Sequence, residues 1–145
     1  MSWFEVKATY DKEVERADGT FSGALKKTTD LYLVFAETFS EAEKIMATTL
    51  ATEFPGRPIE IATVAKRKYA EFFNREDVAY YYKAKVGIVS LDETTGKEKT
   101  RSIPILVGGE SIDDALRELH KGMSGTMADY CISSIADTGI VGIIQ

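Results

Sequence analysis

Two stretches of the chain carry apolar residues at the 3.6-residue spacing of a helix that packs on one face. The first stretch follows Thr38 and the second follows Ser111, and each hydroxyl stands three residues before an acid. This spacing is typical of a capping box, in which the hydroxyl caps the helix and the acid reaches back to the cap N–H. We therefore predict a helix at each place, with these apolar stripes: Phe39, Ala42, Ile45, Met46 and Leu50; Ile112, Ala115, Leu116, Leu119 and Met123.

Strand-like segments flank the two helices in the same order. The segment "WFEVKATY" from Trp3 aligns with "YYKAKVGI" from Tyr81, and both are rich in aromatic and β-branched residues. Each is followed by a glycine-containing turn, a second strand, the helix and a third strand, which is predicted as one continuous strand at 59–73 and at 129–144. The repeated β-β-α-β order predicts an internally duplicated α+β fold with mainly antiparallel sheet and two helices.

The duplication predicts a single compact domain, residues 1–145, made of two repeats, 1–74 and 79–145. The repeats are expected to pack around a pseudo-twofold axis, as one six-stranded sheet or as two small sheets. Within each repeat the third strand should lie beside the first. Pro104 indicates a sheet edge or a bulge. The apolar C-terminal segment "GIVGIIQ" is expected in the core or at a subunit interface, and it favours a homo-oligomer.

Composition restricts the function only broadly. The chain has 145 residues, 44% of them hydrophobic and 28% charged, with one cysteine and a net charge of −5. A single cysteine cannot form an intramolecular disulfide, so a cytoplasmic location is the simplest expectation. The negative charge argues against broad coating of DNA, which needs excess Lys and Arg. No apolar run approaches the length of a membrane helix, so no membrane partner is expected.

Residues with catalytic chemistry are few, and we expect neither catalytic residues, nor a metal site, nor a cofactor. The single histidine, His120, is interpreted as a partly exposed residue near the end of the second helix. Cys131 is interpreted as a small buried hydrophobic residue rather than a reactive thiol. No phosphate-binding loop or dinucleotide fingerprint is present.

One candidate ligand site is the glycine-containing loop from His120 to Tyr130. Its Lys121, Ser124 and Thr126 are candidates for holding an anion, together with backbone N–H groups of the loop. The alternative interpretation is a glycine helix stop followed by a turn, which requires no ligand.

A second candidate is a set of aromatic and basic residues at period-2 spacing. Trp3, Lys7, Tyr81 and Lys85, with the basic run at 66–69, are candidates for a surface that stacks bases and neutralises phosphate. The alternative is ordinary amphipathic strands with aromatic residues inward and lysines outward.

Several segments resemble an uncharacterised domain-of-unknown-function family. They are "SWFEVKATY", "YLVFAETFSEAE", "YYYKAKV", "LDETTGKEKT" and, most specifically, "GMSGTMADYCISSIADT". The resemblance covers nearly the whole chain and implies a context in Bacteroides-type bacteria, their mobile elements and their phages, hence a bacterial host cytoplasm. It implies no catalytic or binding residue.

The main hypothesis is a non-enzymatic binding protein for a small phosphorylated nucleotide-type ligand, such as a phage sponge for nucleotide immune signals. Its site would combine the loop residues with Trp3 or Tyr81 as a stacking surface. The first alternative is an accessory protein that binds single-stranded nucleic acid through the basic and aromatic strands. The second is a structural or protein-interaction module that uses the apolar C-terminal strand.

Overall fold

Two helices and eight strands form the part of the chain that the computed structural model describes, residues 1–75, 78–126 and 129–145. In chain order they are β1 (Ser2–Glu15), β2 (Phe21–Ala36), α1 (Phe39–Glu53), β3 (Ile59–Arg67), β4 (Glu71–Phe73), β5 (Tyr80–Leu91), β6 (Glu98–Gly109), α2 (Ile112–Met123), β7 (Asp129–Asp137) and β8 (Ile140–Ile144). The strands form two four-stranded, mainly antiparallel sheets, ordered β3-β1-β2-β8 and β4-β6-β5-β7. The predicted α+β class is confirmed, and the arrangement is the one with two sheets.

The chain divides into two compact units with the same internal topology. The first unit comprises Met1–Arg67 and Val141–Gln145, and the second comprises Lys68–Ile140. In the first unit β1 pairs antiparallel with both β2 and β3, and in the second β5 pairs antiparallel with both β6 and β7. The third strand of each unit therefore lies beside the first, as predicted, and runs parallel to the second.

The predicted extent of the last strand in each repeat is wrong. Residues 59–73 form two strands, β3 and β4, and β4 pairs parallel with β6 in the second sheet. Residues 129–144 likewise form β7 and β8, and β8 borders β2 in the first sheet. The second break contains Gly139 at φ 77° and Thr138, whose N–H and hydroxyl donate to the carbonyl of Tyr81. Each sheet thus has a fourth strand. Of the joint predicted at 74–79, Glu76 and Asp77 lie outside the described residues.

Both predicted capping residues begin helices. Thr38 Oγ1 accepts a hydrogen bond from the N–H of Glu41 at 3.1 Å. Ser111 Oγ accepts from the N–H of Asp114, also at 3.1 Å. The acid reaches one residue further back than predicted, because the Asp114 carboxylate accepts from the N–H of Glu110 at 2.9 Å rather than from that of the cap. This hydrogen bond lowers the pKa of Asp114.

Each helix buries the middle and end of its apolar stripe against one face of a sheet, whereas Phe39 and Ile112, the first residues of the two stripes, are exposed. The first core consists of Phe4, Val6, Ala8, Tyr10, Val34, Ala36, Ala42, Met46 and Leu50. The second core consists of Tyr82, Ala84, Val86, Ile105, Val107, Ala115, Leu119 and Met123. Successive strand residues point to opposite faces, so the even-numbered positions of β1 and β5 face their helices. The odd-numbered positions, which include Lys7 and Lys85, therefore lie on the faces without a helix.

The third strand of each unit carries a β-bulge at an equivalent place. In β3 the register passes from Lys7↔Thr63 to Ala8↔Ile61 and leaves Ala62 unpaired. In β7 it passes from Lys85↔Ser134 to Val86↔Ile132 and leaves Ser133 unpaired. A bulge is a specific local feature that re-aims side chains. Its occurrence beside the aligned lysines supports the duplication more strongly than composition does.

Pro104 lies on β6, an inner strand of the second sheet, one residue before the ladder with β4 begins, and the register of β6 with β5 has no bulge there. It belongs to β6, which pairs with β4 only through Ile105, Leu106 and Val107. The carbonyl of Pro104 accepts from the N–H of Ala70, which directly precedes β4, so the absent N–H of the proline falls at the end of this short ladder.

The close approach of α2 to β6 depends on Gly109. A Cβ at this position would lie 2.7 Å from the backbone nitrogen of Ala115 and 2.9 Å from its Cα. Backbone atoms of a helix cannot rotate away, so we expect Gly109→Ala to lower the free energy of unfolding by about 1–3 kcal/mol. Chemical denaturation measures this change.

Gly125→Ala is the matched control, because a Cβ at Gly125 meets no atom within 4 Å and this residue does not have a positive φ. It should change the unfolding free energy by less than about 0.5 kcal/mol. Equal stability of the two variants would contradict the close helix–strand contact.

Candidate functional site

A groove lies on the face of the second sheet that carries no helix. We call it the lysine groove, and its volume is about 380 Å³. Its lining residues come from β5, β6 and β7: Lys83, Lys85, Ser102, Ile103, Pro104, Ser134 and Ala136. The groove therefore combines two cationic side chains and two hydroxyls with apolar walls.

Strand alternation brings these side chains together. Lys83 and Lys85 stand two residues apart on β5 and so point to the same face. On the same face, Lys85 lies opposite Pro104 of β6 and Ser134 of β7. Lys83 lies opposite Leu106 and Ala136. Residues from three strands thus converge although they are distant in sequence.

The groove has an unbalanced positive charge. Both lysines are exposed. Among the described residues, no carboxylate forms an ion pair with either of them, whereas other cations of the chain do have acidic partners. Two uncompensated ammonium groups beside serine hydroxyls form an arrangement that favours a small anion, because both kinds of group donate hydrogen bonds.

The first unit carries a related but altered set of residues at the equivalent register. Lys7 lies opposite Leu31 and Thr63, as Lys85 lies opposite Pro104 and Ser134. The position of Lys83, however, is occupied by Glu5, whose carboxylate accepts from Nε of Arg67 at 3.1 Å. An acid replaces a base and a larger aliphatic residue replaces proline. The two faces therefore differ in charge although their strands match.

The predicted anion loop is built as a helix end. The N–H of Ser124 donates to the carbonyl of His120, and its hydroxyl donates to the carbonyl of Lys121 at 2.7 Å. The N–H of Thr126 donates to the carbonyl of Met123. These donors face helix carbonyls, at the helix end where the dipole repels an anion. The geometry therefore argues against a phosphate site at Lys121, Ser124 and Thr126. Met127 and Ala128 of this loop lie outside the described residues.

The two aromatic residues predicted to stack a base are buried. Trp3 is 9% exposed and Tyr81 is 4% exposed. The Trp3 ring lies 4.7 Å from that of Phe35, between centroids, and Tyr81 contacts Phe72 edge to face at 6.0 Å. Because no ring face is open to a planar ligand, their burial argues against base stacking. Of the predicted set, Lys7 and Lys85 are exposed on the sheet faces without a helix, and only Lys85 lines the groove.

The prediction for Cys131 is wrong, because its thiol is exposed. The bulge at Ser133 explains the error, since it places Cys131 opposite Gly87 on the face without a helix. His120 is exposed in the last turn of α2, and its Nδ1 lies 2.8 Å from the hydroxyl of Tyr130.

Lys83, Ser102 and Ser134 are the groove residues that the sequence interpretation missed. Lys83 could have been predicted to share a face with Lys85, because it precedes Lys85 by two residues on a predicted strand. Ser134 would have emerged by aligning the third strands of the repeats, where it matches Thr63 across the bulge.

A second polar cluster lies in the first unit, on the paired strands β1 and β2. The hydroxyl of Tyr10 donates to Asp30 at 2.5 Å, and Nζ of Lys12 contacts the same carboxylate oxygen. The hydroxyl of Tyr32 lies 3.2 Å from that of Tyr10. Burial raises the pKa of Tyr10 far above its ordinary value, and the hydrogen bond to Asp30 adds to the shift.

Comparison with known proteins places the chain in a family. A family model described as Domain of unknown function (DUF4494) matches residues 2–145. The chain belongs to this family. The DUF4494 match spans both units, and it confirms the expected membership of an uncharacterised domain family. No curated protein and no solved structure matches the chain.

Within the described ranges, no group of three or more His, Cys, Asp and Glu side chains is placed to hold a metal ion. Neither α1 nor α2 is long and apolar enough to cross a membrane.

The pKa of Tyr10 predicts a specific loss of stability in alkaline solution. Tyrosine is neutral when protonated, so the folded protein keeps this proton above pH 10.0, the ordinary pKa, where the unfolded chain loses it. The stabilising contribution is therefore complete below pH 10.0 and decreases as the pH rises further. We expect the melting temperature of the wild type to fall more steeply than that of Tyr10→Phe between about pH 9 and 11. The two proteins differ only in the hydroxyl of residue 10, so parallel curves would contradict the assignment to Tyr10.

Proposed function

We propose that the protein is a non-enzymatic binding protein for a small phosphorylated nucleotide-type ligand, which it holds in the lysine groove. The observation that carries the proposal is the convergence of Lys83 and Lys85 with Ser102 and Ser134 on one concave surface, where no carboxylate of the described residues forms an ion pair with either lysine. The protein has a net charge of −5, so this local concentration of positive charge is not a consequence of a generally basic surface.

The chemistry of the lining fits a phosphate group. A lysine ammonium is a compact point charge that binds phosphate oxygens, and a serine hydroxyl adds a neutral hydrogen-bond donor. A volume of about 380 Å³ lies near the lower end of the range for small-molecule sites, which favours a small ligand over a polymer. Pro104 and Ala136 supply apolar contact to the remainder of the ligand.

A binding role is favoured over acyl or phosphoryl transfer by the placement of the single imidazole. His120 contacts Tyr130, which packs against the helix-facing core of the second sheet. Ser102 and Ser134 face the opposite side of that sheet. His120 and Ser134 both border a second pocket beside β7, but the imidazole is hydrogen-bonded to the hydroxyl of Tyr130 rather than to a serine, so the described residues show no nucleophile–base pair.

The alternative functions receive less support. Binding of single-stranded nucleic acid depends on exposed aromatic faces, and Trp3 and Tyr81 are buried. The apolar C-terminal strand β8 is part of the first sheet, and Ile144 packs on the first core. Sequestering a nucleotide signal, as a phage-encoded sponge in a bacterial cytoplasm would, requires such a binding site and no catalytic group.

Thermal denaturation with a panel of cyclic nucleotides, nucleoside phosphates and nucleotide sugars tests this function. A ligand at about 100 times its Kd stabilises the folded state by about 2.7 kcal/mol, which corresponds to a rise of roughly 5–10 °C in Tm. The double variant Lys83→Met and Lys85→Met should abolish the rise, because it removes both charges and keeps the aliphatic stems.

The control is Lys26→Met with Lys44→Met, which removes the same charge from exposed positions of β2 and α1 in the first unit. This variant should retain the full rise. The proposal is rejected if no compound of the panel stabilises the wild type, or if the two double variants respond alike.

A further inference from the structure

We propose that the lysine groove recognises a diphosphate, with one phosphoryl group at Lys85 and the adjacent one at Lys83. This inference rests on the proposed function and names the chemical group that the site reads. Phosphate recognition alone would be satisfied by one lysine with a hydroxyl, as at Lys85 and Ser134. The groove supplies a second ammonium group on the same face, about 7 Å away along the strand between Cα atoms.

The two ends of the groove differ. Around Lys85 the neighbours are polar, because Ser134 lies directly opposite and Ser102 lies one diagonal step away, opposite Gly87. Around Lys83 the neighbours are Ala136 and the buried Leu106, so charge is the only polar feature there. A terminal phosphate, which has three free oxygens, fits the end with more donors. A bridging phosphate, which has fewer free oxygens, fits the end that offers an ammonium group.

Gly87 bounds the polar end of the groove. A Cβ at Gly87 would lie 2.8 Å from Cγ2 of Thr100 and 2.9 Å from Sγ of Cys131, so these two side chains occupy the space above it. The ligand therefore cannot continue past Lys85 along β5. The terminal phosphate of the ligand therefore lies at Lys85, and the rest of the ligand extends past Lys83 along β5.

The first unit shows which residue decides the second phosphate position. Lys7 with Thr63 preserves the lysine–hydroxyl pair, but Glu5 replaces the counterpart of Lys83 and is paired with Arg67. A carboxylate there repels a second phosphoryl group. Lys83 is thus the specificity-determining residue, and each chain binds one diphosphate, in the second unit.

Calorimetric titration with inorganic pyrophosphate, orthophosphate and a nucleoside diphosphate at constant ionic strength tests this inference. Pyrophosphate should bind one per chain and at least about tenfold more tightly than orthophosphate, because it gains a second charge-assisted contact. Lys83→Met should remove this advantage and leave the orthophosphate affinity within about twofold, whereas Lys85→Met should weaken both anions. The nucleoside diphosphate should follow pyrophosphate.

Cys131 provides an independent readout, because it is the only cysteine of the chain, is exposed and borders Lys85's end of the groove. Bound pyrophosphate should slow modification of the Cys131 thiol in the wild type, and at the same concentration should not do so in Lys85→Met.

Equal affinities for pyrophosphate and orthophosphate, two sites per chain, or an unchanged preference in Lys83→Met would each overturn the diphosphate assignment. If nucleotides still raise Tm through the groove in that case, the proposed function stands and only the diphosphate inference fails. If neither nucleotides nor inorganic anions bind, both fail.

Discussion

The candidate site depends on the register between β5 and β7. Side chains alternate along a strand, so a shift of one residue moves every side chain to the other face of the sheet. The bulge at Ser133 makes such a shift within β7, so that Ser134 faces the groove while Ile132 faces the core. Without it, a strand that continues the register from Val86↔Ile132 would place Ser133 opposite Lys85 and Ile135 opposite Lys83, and Ser134 would face the core. The hydrophobic core thus fixes the position of the polar groups on the opposite face.

The same constraint explains what the sequence predicts well. Helices signalled by Thr38 and Ser111 are local features, since a cap and an apolar stripe lie within a few residues of each other. The order of strands around β1 and β5 follows from the duplication. The fourth strand of each sheet was not predictable, because β4 and β8 continue apolar runs, and the sheet in which each pairs is a long-range property.

The candidate site likewise has a part that the sequence signals and a part that depends on long-range strand pairing. Lys85 is recognisable from period-2 alternation and from its match with Lys7, because both signals are local or arise from the repeat. The convergence of Ser102 and Ser134 on it depends on pairing with strands about 17 and 49 residues further along the chain. In the sequence, Gly122 and Gly125 suggest an anion-binding loop at the end of α2. In the structure, Gly122 leaves space for the ring of Phe73 and the loop donors meet helix carbonyls.

The most direct test of this account is a measurement of the register by cross-strand NMR contacts between β5 and β7. The account predicts contacts that pair Lys85 with Ser134 and Val86 with Ile132, while Ser133 pairs with neither. An unbroken register that pairs Lys85 with Ser133 and Lys83 with Ile135 would contradict it. In that case Ser134 and Ala136 would face the core, and the groove would not exist as described.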